Sequence, residues 1–410
     1  MTNYKTRIAT ALATGSVLLH ALAPMTLAAT EIRITGNGSD SNNTANVSQT
    51  SSMNVVQNNT ANVNNNVNVS ANTGGNSASD NTGGDVKVDT GDADTNVTVK
   101  NSLNQNDAEV DSCANCAGDS KVVISGNGSD SDNDVDLDTN HSVNVFQDNY
   151  ADVDNDVDVD ANTGDNDADD NTGGDVKIMT GDADTTVKVM TTANANSAVV
   201  GGGDSEGGVL SAYILGNGSD SDNDIDLDLD NSLVISQEND ADVDNDVDVD
   251  AETGDNDADD NTGGDVLIDT GDADADVTVD TAVNFNAADA GCGCVFDVLA
   301  KIDGNGADSD SELAATLGDE SELFQDNDAD LYNDLDVDGD TGDNDADDNT
   351  GAVDGDSDPS ITTGNSDATV NAHNSGNVNT FGTDLPEFEF DFDMDSSMWS
   401  SFVAWFSGHN

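Results

Sequence analysis

Residues 155–174 read NDVDVDANTGDNDADDNTGG, and residues 245–264 read NDVDVDAETGDNDADDNTGG. In both stretches Val and Ala alternate with Asp before a run rich in Gly, Asn and Thr. Successive side chains of a β-strand point to opposite faces, so the alternation predicts strands with small apolar residues on one face and carboxylates on the other. The run that follows has the composition of turns.

The unit that contains these stretches is present four times. GNGSDS begins at Gly36, Gly126 and Gly216, and the variant GNGADS begins at Gly304, so the spacing is 90, 90 and 88 residues. A glutamine keeps the same register in every unit, at Gln57, Gln147, Gln237 and Gln325. A fixed internal period of this kind predicts a repeat architecture.

The repeats divide the chain into six segments. They are a leader at 1–29, repeats with their junctions at 30–125, 126–215 and 216–303, a fourth repeat at 304–381, and a C-terminal tail at 382–410. Less regular junctions are expected at 109–125, 199–215 and 288–303.

The fold class predicted from these patterns is all-β, in the form of an elongated β-solenoid. Thr-Gly pairs recur at 163, 172 and 180, and two such steps would make one coil with strands of about five residues. A bend is expected near Asn155, whose inward position suits a solenoid corner or an asparagine ladder. Tandem small β-sandwich domains are the alternative, although each unit has few large aromatic residues to fill a two-sheet core.

The first 29 residues have the order of a secretory signal peptide. Lys5 and Arg7 precede an apolar stretch, and small residues follow at Ala28 and Ala29. No other stretch is long and apolar enough to span a bilayer. We therefore expect a secreted or cell-surface protein with no membrane span in the mature chain.

The charge balance limits the partners of the chain. It has 85 Asp and Glu residues against 9 Lys and Arg, a net charge of −76. Nucleic acid and anionic membranes would be repelled, so divalent cations are the expected partners. Two carboxylates about 4.8 Å apart on neighbouring strands repel by roughly 0.9 kcal/mol even in bulk water. The folded state is thus expected to need cations.

The first repeat keeps the pattern of the others but not their charge. Where later repeats have NDVDVDAN, residues 65–72 read NNVNVSAN, with Asn and Ser at the Asp positions. The backbone plan therefore does not require carboxylates, which indicates that they serve cation binding or solubility. A generic acidic surface, as in proteins from saline habitats, is the simpler interpretation.

Calcium is the expected cofactor, because hard oxygen donors spaced two apart with a nearby glycine are what calcium loops use. Residues 334–345, DLDVDGDTGDND, resemble an EF-hand loop, which implies Asp334, Asp336, Asp338 and Asp345 as ligands, with Gly339 at the turn. Asp345 replaces the usual bidentate glutamate. The run DVDGDTGDNDADDN also resembles the calcium-binding repeats of thrombospondin.

Two further resemblances concern the acidic turns and the strands. GNGSDSDND and its copies are similar to the turns of RTX-type β-rolls, which adds these candidate ligands: Asp130, Asp132, Asp134, Asp220, Asp222 and Asp224. SVNVFQDNYADV and SLVISQENDADV resemble the curlin repeats of secreted amyloid fibres, with a shorter Gln-to-Ala spacing.

Two features stand apart from the repeats. Cys113 with Cys116, and Cys292 with Cys294, are disulfide candidates in an exported chain, and a zinc site is the alternative. The tail carries both tryptophans, Trp399 and Trp405, and is expected either to cap the last coil or to dock on another copy of the chain or a cell-surface component.

No GxSxG, HExxH or phosphate-loop motif is present, so we do not expect an enzyme. The expected function is that of a secreted, calcium-stabilised structural or adhesive repeat protein of the cell surface or extracellular matrix. The alternatives are an acidic protein that sequesters calcium or binds mineral, a curlin-like fibre subunit, and a largely disordered polyanion.

Overall fold

The computed structural model describes residues 9–10, 16–18, 30–110, 120–201, 209–290, 297–351 and 359–382. Every regular element in these residues is a β-strand. The all-β prediction is confirmed, and the order of the strands identifies a parallel β-solenoid.

Each repeat forms one coil of four strands. Coil 1 contains β3 (Thr30–Thr35), β4 (Asn42–Asn72), β5 (Val86–Asp89) and β6 (Ala93–Val110). Coil 2 contains β7 (Ser120–Ser125), β8 (Asp132–Asn162), β9 (Val176–Met179) and β10 (Ala183–Val200). Coil 3 contains β11 (Val209–Leu215), β12 (Asp222–Glu252), β13 (Val266–Asp269) and β14 (Ala273–Ala290). Coil 4 contains β15 (Asp297–Asp303), β16 (Asp310–Asp340), β17 (Ser360–Thr362) and β18 (Ser366–Phe381).

Equivalent strands of successive coils pair in parallel and form four sheets. Their orders are β15-β11-β7-β3, β16-β12-β8-β4, β17-β13-β9-β5 and β6-β10-β14-β18. The second of these, which we call the long sheet, keeps identical register across all four coils, for example Asn65↔Asn155↔Asn245↔Asn333. Two short leader strands, β1 (Ala9–Thr10) and β2 (Ser16–Leu18), also pair in parallel with β6.

The expected coil size is wrong. The Thr-Gly pairs at 163, 172 and 180 lie within coil 2, in and after the loop between β8 and β9, rather than one coil apart. The strand from Asp132 to Asn162 also runs without interruption through Asn155, where a bend was expected. At about 3.3 Å per residue it is roughly 100 Å long, so the molecule is elongated along its strands. Because repeats pair with one another, the alternative of separate β-sandwich domains is also wrong.

The less regular junctions between repeats each contain one strand. β7, β11 and β15 lie within them and form a sheet of their own. Ile124 and Ile214 of this sheet are fully buried against the first residues of the long strands, such as Val135 and Ile225. Part of each junction therefore belongs to a fourth wall of the coil.

The core is a single layer of small apolar side chains between two sheet walls. Val157 and Val159 of β8 pack against Val187 and Val189 of β10. These side chains and their counterparts in coil 3 are almost completely buried, whereas the long-strand residues Val67 of coil 1 and Val337 of coil 4 are only partly buried. The stack thus ends with two half-covered faces.

Buried asparagine and glutamine side chains form ladders along the stack. Asn65 donates to Asn155, Asn155 to Asn245 and Asn245 to Asn333, each at 2.7 Å. Gln147, Gln237 and Gln325 each donate to the glutamine of the preceding coil at 2.7 to 2.8 Å. The expected asparagine ladder is confirmed, and it supplies the partners that buried amides require.

Candidate metal centre

The outer face of the long sheet presents its carboxylates in columns along the stack. Asp154, Asp156 and Asp158 are exposed and Asp152 is half-buried on β8, and the same positions of β12 are acidic. Adjacent columns on one strand are two residues apart, which is about 6.6 Å, and neighbours within a column are about 4.8 Å apart. The result is a regular array of negative charge.

Coil 1 ends these columns with amides in place of acids. Asn62, Asn66 and Asn68 donate to Asp152, Asp156 and Asp158 at 2.8, 2.6 and 2.7 Å. β4 contains no Asp or Glu in its 31 residues. The neutral coil therefore supplies hydrogen-bond donors to the acidic coil beside it.

The carboxylates of coils 3 and 4 have no such donors in these columns, and their proximity to one another raises the pKa of several of them. Burial raises the pKa of Asp248, and the neighbouring charges of Asp336 and Asp158 raise it further. The pKa of Asp250 is raised in the same way, by burial and then by Asp248. Burial and neighbouring charges thus make the ionised forms of Asp248 and Asp250 less favourable.

The tightest cluster lies at a corner of the coil, where the long strand ends. Carboxylate oxygens of Asp165, Glu252 and Asp255 all lie within 4.8 Å of one another, and no other group of three acidic, histidine or cysteine residues in the described parts of the chain is this close. Glu252 is the last residue of β12, whereas Asp165 and Asp255 occupy the turns after β8 and β12 with φ of 58° and 57°. The left-handed backbone turns these two carboxylates toward the strand end.

Glu252 is the most perturbed group of this cluster. Burial raises its pKa to about 7, and the charge of Asp165 and a hydrogen bond with Asp255 act in the same direction. Burial and the two neighbouring carboxylates thus favour a proton on Glu252 near neutrality. A divalent cation would displace that proton.

Asn162 connects the cluster to the preceding coil. Its Nδ2 amide donates to Glu252 Oε2 at 2.8 Å and to Asp165 Oδ2 at 3.2 Å. Its side chain is 6% exposed, and its Oδ1 has no hydrogen-bond partner among the described residues. Rotation of the amide would turn this oxygen toward the carboxylates. Three carboxylates and an amide oxygen are the donors that calcium prefers.

The residues predicted from the EF-hand resemblance lie on a strand rather than in a loop. Asp334, Asp336 and Asp338 are exposed on one face of β16, and Asp345 lies beyond its end, paired with Asp257. Gly339 does not form a turn; an added Cβ would lie 2.7 Å from Ser366 Oγ. The turn expected at Gly339 is therefore absent. The role of the four aspartates as calcium ligands stays a prediction.

The residues predicted from the RTX resemblance lie where the long strands begin. Asp130 and Asp220 occupy turns with φ of 57°, and Asp132 and Asp134 stack on Asp222 and Asp224. Burial raises the pKa of Asp134, as does the charge of Asp224. In the described residues neither these nor the EF-hand candidates form a group of three within 4.8 Å, so their role as ligands also stays a prediction.

Sequence reasoning missed Glu252, although a signal was present. The stretches at 155–174 and 245–264 differ at one position, where Asn162 is replaced by Glu252. Stacking places that glutamate beside Asp165 of the preceding repeat, a contact that cannot be inferred without the register.

Several predicted features fall outside the described residues. They include Cys113, Cys116, Cys292 and Cys294 and the tail from residue 383 onward, whose roles stay predictions. The described residues contain no helix long and apolar enough to cross a membrane.

Fold and surface together define a parallel β-solenoid repeat protein with one repeat per coil and an acidic outer wall. Comparison of the chain with protein-family models, with curated proteins and with solved structures finds no match.

Proposed function

We propose that this chain is a secreted structural repeat protein whose solenoid is stabilised by calcium. The observation that carries the proposal is the corner cluster, in which Asp165, Glu252 and Asp255 converge beside the buried amide of Asn162. The acidic residues join two successive coils, so a cation held there would link coil 2 to coil 3. Export rests on the signal-like order of residues 1–29.

The carboxylate columns of the long sheet would also bind calcium, with lower affinity than the corner cluster. They would attract cations as a dense atmosphere rather than at defined sites, because each aspartate faces solvent and its neighbours lie on a flat sheet. The proposal thus predicts one specific class of site and a larger set of weak ones. Calcium should stabilise the fold mainly through the specific site.

Calorimetric titration of the purified chain with calcium, combined with thermal unfolding, tests this proposal. We expect a small number of specific sites, whose occupation raises the melting temperature. Magnesium is the matched control: it demands rigid octahedral coordination and should stabilise less. Many weak sites with no change in melting temperature would contradict the proposal.

A second candidate is a surface that nucleates calcium mineral. The specific observation is the array on the long sheet, whose spacings of about 4.8 and 6.6 Å are set by the backbone and repeat at every outward position of residues 152–160 and 242–250. Crystal growth from supersaturated calcium solutions, with the Asp156→Asn, Asp246→Asn double variant as control, distinguishes this role from stabilisation of the fold. The variant should lose nucleation and keep its calcium-dependent melting.

A further inference from the structure

We propose that copies of this chain stack head to tail, with coil 1 of one copy placed on coil 4 of the next and the register of the solenoid continued. The proposal does not rest on calcium binding. It rests on the export step of the proposed function, which would remove residues 1–29, and on the two ends of the stack, which complement each other in hydrogen bonding, shape and charge.

The ladders have a direction that is kept from end to end. The main-chain N–H of Asn37 donates to Asn127 Oδ1, that of Asn127 to Asn217, and that of Asn217 to Asn305, each at 3.0 Å. The N–H of Asn305 would donate in the same way to Asn37 of a second copy. The coil 4 end of one copy therefore matches the coil 1 end of another, and repetition of this contact produces an open, head-to-tail assembly.

The side chains of the two end coils also match in register. Residues 310–340 of coil 4 would lie on residues 42–72 of coil 1, since each pairs with coil 3 or coil 2 at the same positions. Gln325 would then meet Gln57, Asn333 would meet Asn65, and Phe324 would meet Val56, which are 55% and 60% exposed in the single molecule. Val67 and Val337, only partly buried at the ends, would be covered like Val157 of coil 2.

The charges of the two end coils indicate that a second copy of the chain covers each end of the stack. The columns of coil 4 end in Asp330, Asp334 and Asp336, and the residues of coil 1 in the same register are Asn62, Asn66 and Asn68. Within one molecule these amides already donate to the aspartates of coil 2. Each amide has a second N–H to offer. The neutral β4 can thus lie between two acidic strands, where another acidic strand would be repelled.

Glycines at the ends supply an independent observation. In the interior, a Cβ on Gly181 would lie 2.5 Å from the backbone of Gly91, and one on Gly164 would lie 1.9 Å from the Gly254 carbonyl oxygen. Gly38 and Gly91 in coil 1 have no atom within 4 Å of an added Cβ, and they lack positive φ. Their lack of a side chain matters only if a further coil lies against them.

The edge of coil 1 accepts a parallel strand. The leader strands β1 and β2 pair with β6 through Ala9↔Val99 and Ser16↔Gln105, where a preceding coil would lie. They belong to the segment with signal-peptide character, whose removal on export would leave the edge to a second copy.

The test compares the chain purified after export with its Gly38→Ala, Gly91→Ala double variant, by sedimentation over a hundredfold range of concentration and by negative-stain microscopy. We expect filaments from the unmodified chain, whose fibre diffraction shows a spacing of about 4.8 Å along the axis. The double variant should stay monomeric with an unchanged melting curve, because its new methyl groups collide only with a second copy. Its control is Asn144→Ala, on the outer face away from the ends of the stack.

Three results would overturn the proposal. One is an unmodified chain that stays monomeric throughout; a second is a double variant that assembles as the unmodified chain does. The third is a monomer whose outward amides in β16 are protected from hydrogen exchange, since the tail of the same chain would then cover coil 4. None of these readouts depends on whether calcium binds the corner cluster.

Discussion

Asn155 and Asn245 lie at the same register position of adjacent coils, both buried, with Asn155 Nδ2 donating to Asn245 Oδ1 at 2.7 Å. Asn101 of β6 donates to Asn155 Oδ1 as well, at 3.0 Å. The amides thus join coil to coil and wall to wall within an otherwise apolar interior. Such a ladder fixes the register, because a slip of one residue would bury an aspartate in its place.

Replacement of Asn245 by Ala should destabilise the chain by about 1–3 kcal/mol, because Asn155 loses its acceptor and Asn333 its donor. Denaturant unfolding measures the change. Asn62→Ala removes an exposed amide from the same sheet and should cost much less. Equal losses in the two variants would show that burial of the ladder contributes nothing.

Close packing between coils gives a second prediction. Gly164→Ala would place a methyl group against the Gly254 carbonyl, and we expect a loss of at least about 2 kcal/mol in unfolding free energy. Gly342→Ala occupies the same register position in coil 4, where the nearest atom is Asp340 Oδ1 at 3.2 Å. This variant should unfold like the parent in dilute solution. A tolerant Gly164→Ala would contradict the parallel register.

The raised pKa values of two carboxyl groups predict that the stability of the fold decreases as the pH rises. Burial and neighbouring acidic residues raise the pKa of Glu252 to about 7 and the pKa of Asp257 to about 6. The folded state therefore binds more protons than the unfolded one, and stability is highest below the unfolded values near 4 and falls as pH rises through 6 to 7. In chelator, the melting temperature should decrease between about pH 5 and pH 8. A constant or rising melting temperature would contradict the assignment.

Glu252→Asn tests the corner cluster directly, because asparagine is the natural residue at the equivalent position of coil 2. Loss of one carboxylate should weaken calcium binding at the specific site and raise the melting temperature in chelator, since Asp165 and Asp255 are then less repelled. Asp242→Asn, on the outer array, removes one charge far from the cluster and is the control. An identical calcium response in both variants would assign the binding to the array as a whole.

The sequence alone predicted the strands, the faces of their side chains and the repeat, but it did not predict the size of the coil. Alternation identifies the outward face of Asp156 and the inward face of Val157 without reference to any other coil. The coil size depends on which residues pair across 90 positions, and the Thr-Gly spacing reports only local turns. The contact of Glu252 with Asp165 was hidden for the same reason, because it arises between repeats.

The first repeat illustrates what composition could and could not show. Its loss of charge indicated that the backbone does not need carboxylates, which the pairing of β4 with β8 supports. The position of that repeat at an end of the stack, where Asn62 and Asn66 donate to acids of coil 2, required the structure.

The most direct measurement is thermal unfolding of the purified chain in calcium and in sodium chloride at equal ionic strength. We predict a higher melting temperature in calcium and a loss of this difference in Glu252→Asn. Coincident unfolding curves in the two salts would contradict the claim that a divalent cation stabilises this solenoid.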